Sequence, residues 1–212
     1  VLTPTSKAQS GKLDKKQDSP ICCLQETHLT RDDTDRLKVK GRRKIYHPNR
    51  RQKRAGVTII ISDKIDFKTT VAKKDKEGLY AMIKGLIQPH GLTIRNIYAT
   101  KIGAPRFIKQ VLLDLQKYLA TPWEWVTSTS IDRVRSSRQK TNKEILELNS
   151  TLDQLDITDI YRTLHPATIG YTFFSFAYGT YAKIDHMLGH QASLNKVKKF
   201  KIIQTILWAI VE

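Results

Sequence analysis

Short apolar runs separated by turn residues dominate the first half of the chain. Residues 55–62 read AGVTIIIS, continuous and β-branched, the pattern of a strand buried on both faces. Runs at 21–24, 65–71, 79–87 and 92–99 predict further strands, and Lys76-Glu77-Gly78 and His90-Gly91 separate some of them. The period then changes. Phe107, Ile108, Val111, Leu112, Leu115 and Leu119 recur at helical spacing and predict a helix over 105–119. Ile145, Leu146, Leu148, Leu152 and Leu155 predict a second over 142–155. Apolar segments follow at 157–161, with strands at 171–175 and 182–188, and residues 197–211 are again β-rich. Many strands with few helices between them predict an α/β domain: two packed sheets flanked by helices. Residues 1–19 are polar and without period; they predict a flexible lead-in, with at most one helical turn over 12–17, ahead of a domain at 20–212.

Composition narrows the class. The chain has 212 residues, of which 40% are apolar and 27% charged, enough for one domain with a real core. Lys and Arg number 37 against 20 Asp and Glu, a net charge of +17. Such a surface attracts polyanions and releases their counterions, so nucleic acid is the leading partner. No basic amphipathic helix argues for a membrane surface, and no segment is apolar for long enough to span one. No obligate protein partner is implied. The two cysteines, Cys22 and Cys23, are adjacent, within Ile21-Cys22-Cys23-Leu24. They cannot staple distant segments and lack metal-ligand spacing, which points to a reducing compartment, nucleus or cytoplasm.

Several residues could carry chemistry. Glu26 follows an apolar strand directly, where a carboxylate can reach a Mg²⁺ ion at a sheet rim; a solvated or capping Glu fits the same position. Tyr98 ends the strand at 92–99, where a phenol can donate to a phosphate or simply stand as a rim aromatic. Asp185 and His186 are neighbours in a strand and so face opposite ways. The Asp could orient an imidazole elsewhere, or form an ordinary ion pair. Thr172 and Ser175 offer hydroxyls to a DNA backbone. Two basic clusters stand out: Arg42, Arg43, Lys44, Arg50, Arg51, Lys53 and Arg54, then Arg133, Arg135, Arg138, Lys140 and Lys143. Charge runs are ordinarily solvated faces, and +17 in all favours phosphate contact by at least one of them.

Together these segments resemble a known family. Cys22-Cys23-Leu24-Gln25-Glu26-Thr27-His28-Leu29-Thr30 is similar to the metal-binding segment of the mammalian LINE retrotransposon endonuclease. So are Gly56-Val57, Asp75-Lys76-Glu77-Gly78 and Asn96-Ile97-Tyr98-Ala99, followed by Gly103-Ala104-Pro105-Arg106-Phe107-Ile108. Asp159-Ile160-Tyr161-Arg162-Thr163-Leu164-His165-Pro166, Tyr171-Thr172-Phe173-Phe174-Ser175 and Lys183-Ile184-Asp185-His186 continue the likeness, which runs from about Pro20 to Lys201. The resemblance implies an endonuclease/exonuclease/phosphatase fold: a four-layer α-β-β-α sandwich of two mixed sheets. It implies Mg²⁺-dependent nicking of DNA, with Glu26 holding the metal, Tyr98 supporting the scissile phosphate, and Asp185 and Thr172 lining the site and the DNA groove. Arg133, Arg138 and Lys140 would be further DNA contacts.

The chain departs from the family in three places. The first strand, with its Asn residues, is missing from 1–19. Trp123-Glu124-Trp125-Val126-Thr127-Ser128-Thr129-Ser130 stands where Gly-Asp-Phe-Asn is expected, and Leu207-Trp208-Ala209-Ile210-Val211-Glu212 where Ser-Asp-His is expected. Losing acid–base and positioning groups of this kind slows hydrolysis by at least ~10²–10⁴-fold. The expectation is therefore an impaired or inactive nuclease with residual DNA binding. The alternatives are an active endonuclease and a non-functional product of a decayed element. Compensated frameshifts would explain the replacements. Back-translated as TGG GAG TGG GTG ACT TCA ACA TCC, residues 123–130 read Gly-Val-Gly-Asp-Phe-Asn-Ile in a neighbouring frame. Sequencing the coding DNA checks this: the frameshift account requires that motif in a neighbouring frame, and codons that cannot spell it refute the account.

Overall fold

The apolar runs pair into sheets because each carries more buried surface than one neighbour can cover. The computed structural model describes residues 21–27, 44–47, 56–87, 90–99, 103–118, 123–129, 143–167, 171, 173–175, 180–182, 185–196, 199–203 and 206–210. The expected lead-in at 1–19, with its helical turn, lies outside them. So do Thr172, Arg133, Arg138, Lys140 and every member of the first basic cluster except Lys44.

Strands β1 (Ile21–Thr27), β2 (Lys44–Tyr46) and β3 (Gly56–Ile61) form a small sheet with β3 in the middle, antiparallel to both neighbours. All six residues of β3 are buried, as its unbroken apolar run requires. The larger sheet has six strands. It begins with β4 (Phe67–Lys74), β5 (Tyr80–Ile87), β6 (His90–Ile97) and β7 (Trp123–Thr129). Beyond β7 come β11 (Asp185–His190) and then β8 (Ile157–Asp159) at the edge. Its pairs are antiparallel except β6 with β7, which makes the sheet mixed.

A parallel pair needs a crossover, and helix α1 (Ala104–Asp114) supplies it between β6 and β7. Gly103, at φ 70°, turns the chain into α1, and Pro105 occupies its first turn. Ala104, Ile108, Val111 and Leu112 form its buried stripe. Helix α2 (Lys143–Gln154) buries Leu148, Thr151 and Leu152 and packs beside α1. The expected helix at 105–119 ends early: a one-turn 3₁₀ segment, Gln116–Tyr118, follows Leu115.

Two cores result. Ile21, Val57, Ile59 and Ile61 of the small sheet meet Phe67, Ala81, Ile83, Leu92 and Ile94 of the large one. On the large sheet's other face, Met82, Ile97, Val126, Ile157 and Leu188 meet the buried stripes of α1 and α2. Each fully buried Ile, Leu or Phe contributes about 1.5–3 kcal/mol. The two sheets are also tied at one end, where Lys44 Nζ donates to Phe67 O (2.6 Å) and the Tyr46 and Thr69 hydroxyls bond. These layers are the α/β arrangement expected from the sequence.

The strand expected at 182–188 is two elements. Strand β10 (Thr180–Ala182) pairs with β9 (Phe173–Ser175) in a hairpin that shares no ladder with either large sheet, and β11 begins separately at Asp185. The segment at 157–161 also divides, into β8 and the short helix α3 (Ile160–Leu164). The last two strands, β12 (Lys199–Ile203) and β13 (Ile206–Ile210), form a hairpin lying beside β1.

Close packing at Gly85 leaves no room for a methyl group. A Cβ on Gly85 would lie 2.5 Å from both Lys68 O and Phe67 Cζ. Gly85→Ala should therefore destabilise the fold by about 1–3 kcal/mol, read as a lower urea midpoint with unchanged slope.

Candidate functional site

Strand ends assemble the candidate rim. Parallel pairing puts the C-terminal ends of β6 and β7 at one edge of the large sheet. Antiparallel β11 starts at that edge, with Asp185 opposite Thr129. Tyr98 follows β6 directly, held by its N–H donating to Leu79 O (2.7 Å) and packed against the inter-sheet core. The fold thus brings Tyr98 and Asp185, both half-buried, to one edge.

Strand β1 meets this edge through a bulge. Leu24 pairs with Thr58 but Thr27 pairs with Gly56, so Gln25 and Glu26 together oppose Val57. The Val57 N–H is turned instead to Gly78 O (3.2 Å). Glu26 therefore lies within a bulge of β1, and its side chain lies outside what the structure describes.

One side chain from the large sheet fastens this bulge. Asn96 Nδ2 donates to Leu24 O (2.9 Å) and Thr58 O (3.1 Å), the carbonyls of the last regular pair before it. Asn96 Oδ1 accepts from Gln25 Nε2 (3.2 Å) and from Thr127 Oγ1 (3.0 Å). Gln25 Nε2 also donates to Ile97 O at 3.3 Å. Fully buried Asn96 thus uses both donors and both lone pairs of its amide, linking β1, β3, β6 and β7. It was legible as a polar residue inside the apolar run at 92–99, though the sequence reading did not single it out.

Thr127 stands in the strand where the resemblance expects an Asp and an Asn. Its hydroxyl is engaged with Asn96, with Arg95 O (3.3 Å) and with the Cys23 thiol. Burial pushes the Cys23 thiol up to about 12, the Thr127 bond acting the other way. Burial, reinforced by Cys23, raises Cys22 further still. Neither is a nucleophile at neutral pH.

A Mg²⁺ ion requires several oxygen ligands, carboxylates among them. Among the described residues no three His, Cys, Asp or Glu side chains come together as a metal-binding group. Asn96 Oδ1 and the Thr127 hydroxyl are committed to each other. Gln25 Oε1 is buried without a hydrogen-bond partner, one neutral oxygen where a metal needs a set. The described donors do not fit the metal that the resemblance implies.

On the opposite face, His186 is 8% exposed at its side chain and its Nδ1 lies 2.9 Å from Asp159 Oδ2. Asp185 and His186 thus take separate surroundings, as neighbours in a strand must. The partner of His186 is Asp159, far away in sequence, which spacing alone did not suggest. His190 and Asp156 form a looser, more exposed pair at 3.4 Å.

No protein-family profile matches the sequence. Solved structures share the fold. The AP endonuclease LMAP from Leishmania major matches with a TM-score of 0.69 at 13% identity, over 96% of this chain and 80% of that one. The Neisseria 3′ phosphatase NExo, bound to a product DNA hairpin, matches at 0.68 and 16%, over 93% and 86%. The endonuclease domain of TRAS1, a telomere-specific non-LTR retrotransposon, matches at 0.68 and 9%, over 98% and 89%. The architecture is therefore that of endonuclease/exonuclease/phosphatase-fold enzymes.

Replacing Asn96 by Leu would remove the donors to the Leu24 and Thr58 carbonyls and the acceptor shared by Gln25 and Thr127. Asn96→Leu should cost about 2–4 kcal/mol in urea unfolding, and Thr127→Val, which removes one donor, about 1–2 kcal/mol.

Proposed function

We propose that this domain is a LINE-type endonuclease relative that binds DNA and is impaired in, or incapable of, phosphodiester hydrolysis. The observation that carries the reading is the Thr127–Asn96 bond. In a nuclease rim, the groups beside the scissile phosphate must be ionised or free to hold water. Here the β7 side chain nearest Asn96 is a neutral hydroxyl already hydrogen-bonded within the protein. Tyr98 and Asp185 remain at the rim, and Glu26 in β1, as the surviving members of a phosphate-handling site.

Binding rests on charge. The net +17 supplies affinity for the DNA backbone whatever the sequence. Arg133, Arg138 and Lys140 are the proposed phosphate contacts, and Thr172 a further contact in the groove. Mg²⁺ is the ion against which any residual activity is to be measured. A DNA partner and the reduced cysteine pair agree with a nuclear or cytoplasmic setting.

Supercoiled-plasmid nicking with and without Mg²⁺, with Glu26→Ala as control, tests the proposal. The expected result is no metal-dependent nicking above the control. Alongside it, a plasmid band shift should weaken by about 10³-fold or more between roughly 50 and 200 mM salt, as for a protein making six or more phosphate contacts. Mg²⁺-dependent nicking abolished by Glu26→Ala would establish an active endonuclease instead. Neither nicking nor binding would mark a product without function.

A further inference from the structure

Strand β11 ends at His190 and runs directly into a 3₁₀ segment, Gln191–Lys196, which packs against β11 and β7. The hairpin β12–β13 follows and lies beside β1. The first N–H groups of such a segment have no partner within it. Here two of them are taken from outside. The Gln191 N–H donates to Asp156 O (3.0 Å), and the Ala192 N–H donates to His190 Nδ1 (3.3 Å).

Asp156 occupies an unusual place for an acid. It follows the end of α2, and its own N–H donates to Asp153 O at 3.1 Å. Among the described residues it is the one non-glycine residue with positive φ, at 54°. Glycine or asparagine suits that backbone better, and the negative end of α2 disfavours a carboxylate beside it. A cation close by would offset this. His190 can supply one, since its Nδ1 lies 3.4 Å from Asp156 Oδ2, with side chains 37% and 51% exposed.

One ring nitrogen therefore faces a donor and an acceptor, and it can serve only one of them. With a lone pair on Nδ1 and its proton on Nε2, the neutral ring accepts from Ala192. With a proton on both nitrogens it can only donate, and the Asp156 carboxylate is within reach. The bond from Ala192 is the one made here. The other carboxylates nearby are engaged elsewhere. On β8, Asp159 is turned to His186 and to the Arg162 N–H. Asp153 of α2 meets Asp156 through its carbonyl. The remaining neighbours bring Glu124, next along β7 from the Trp125 that pairs with Gly189, and Lys196 at the far end of the 3₁₀ segment.

We propose that His190 is a proton-operated joint between the large sheet and the segment that leads to the β12–β13 hairpin. Neutral, it caps the 3₁₀ segment at Ala192. Protonated, it releases Ala192 and pairs with Asp156. Acid then loosens the first turn of 191–196 and leaves the sheet intact, because the ladder from His190 to Ile157 is made by backbone.

The test is nitrogen-15 NMR of the full chain from about pH 8 to about pH 5, the range in which histidine ordinarily changes charge. At the upper end the His190 ring should show a bare Nδ1 and a protonated Nε2. As the pH falls, exchange of the Ala192 amide, corrected for the intrinsic pH dependence of amide exchange, should rise about threefold to tenfold, with β6 amides unchanged. His190→Asn keeps an acceptor near the Nδ1 position and does not titrate, so Ala192 should stay protected throughout. Asp156→Asn keeps a residue suited to positive φ and removes the carboxylate, so the rise should need a more acid solution.

A proton on Nδ1 at the upper end, a flat Ala192 response, or an equal rise in His190→Asn would overturn the joint. So would a simultaneous loss of protection in β6, which marks acid unfolding of the whole domain. A rise in Asp156→Asn at the same pH as in wild type would overturn the pairing with Asp156.

Discussion

A single buried amide holds the two sheets in register where they meet the rim. Sheets packed by apolar contact alone can slide, because the hydrophobic effect has no direction. Asn96 supplies direction: from β6 it reaches the backbone of β1 and β3 and the side chains of Gln25 and Thr127. Because Asn96 is fully buried, each of these bonds is expensive to break. Its bonds reach the last regular pair before the bulge at Gln25 and Glu26 and, through Thr127, the neighbouring β7. A purely apolar residue at this position could fill the volume but not specify the bulge.

The architecture was legible where periodicity was local. The β-branched run at 55–62 became β3, and the stripe from Phe107 to Leu115 became α1, because each signal lies within a few residues. Strand β7 is written in the sequence as an alternation, Trp123, Trp125, Thr127 and Thr129, in letters unlike those the resemblance implies. What failed depended on pairing. Residues 182–188 look like one strand, yet Thr180–Ala182 pairs with Phe173–Ser175 and leaves β11 to begin anew. Likewise, Ile157–Tyr161 breaks at Asp159 because that carboxylate caps a helix.

The candidate site was legible only as far as strand ends reveal it. Tyr98 and Asp185 do share an edge of the large sheet, a consequence of β6 running parallel to β7 and β11 antiparallel to it. Thr127, Asn96 and the His186–Asp159 pair escaped the sequence reading because their partners lie more than twenty-five residues away. Strand β7 forms with residues unlike those the resemblance implies, because a strand inside a sheet needs backbone bonds and volume from its residues. Chemistry needs particular atoms, and it is the more fragile of the two.

The Thr127–Asn96 bond also changes what selection can act on. A working hydrolytic rim holds polar groups in readiness for a substrate, and such readiness weakens the resting protein. Here the Thr127 hydroxyl and the Asn96 amide satisfy each other, so that neither carries this penalty. Among the described residues, Gln25 Oε1 beside them is buried without a hydrogen-bond partner. Freeing either group for a substrate would mean giving up the bond between them, so at this point of the fold rigidity and readiness draw on the same two atoms.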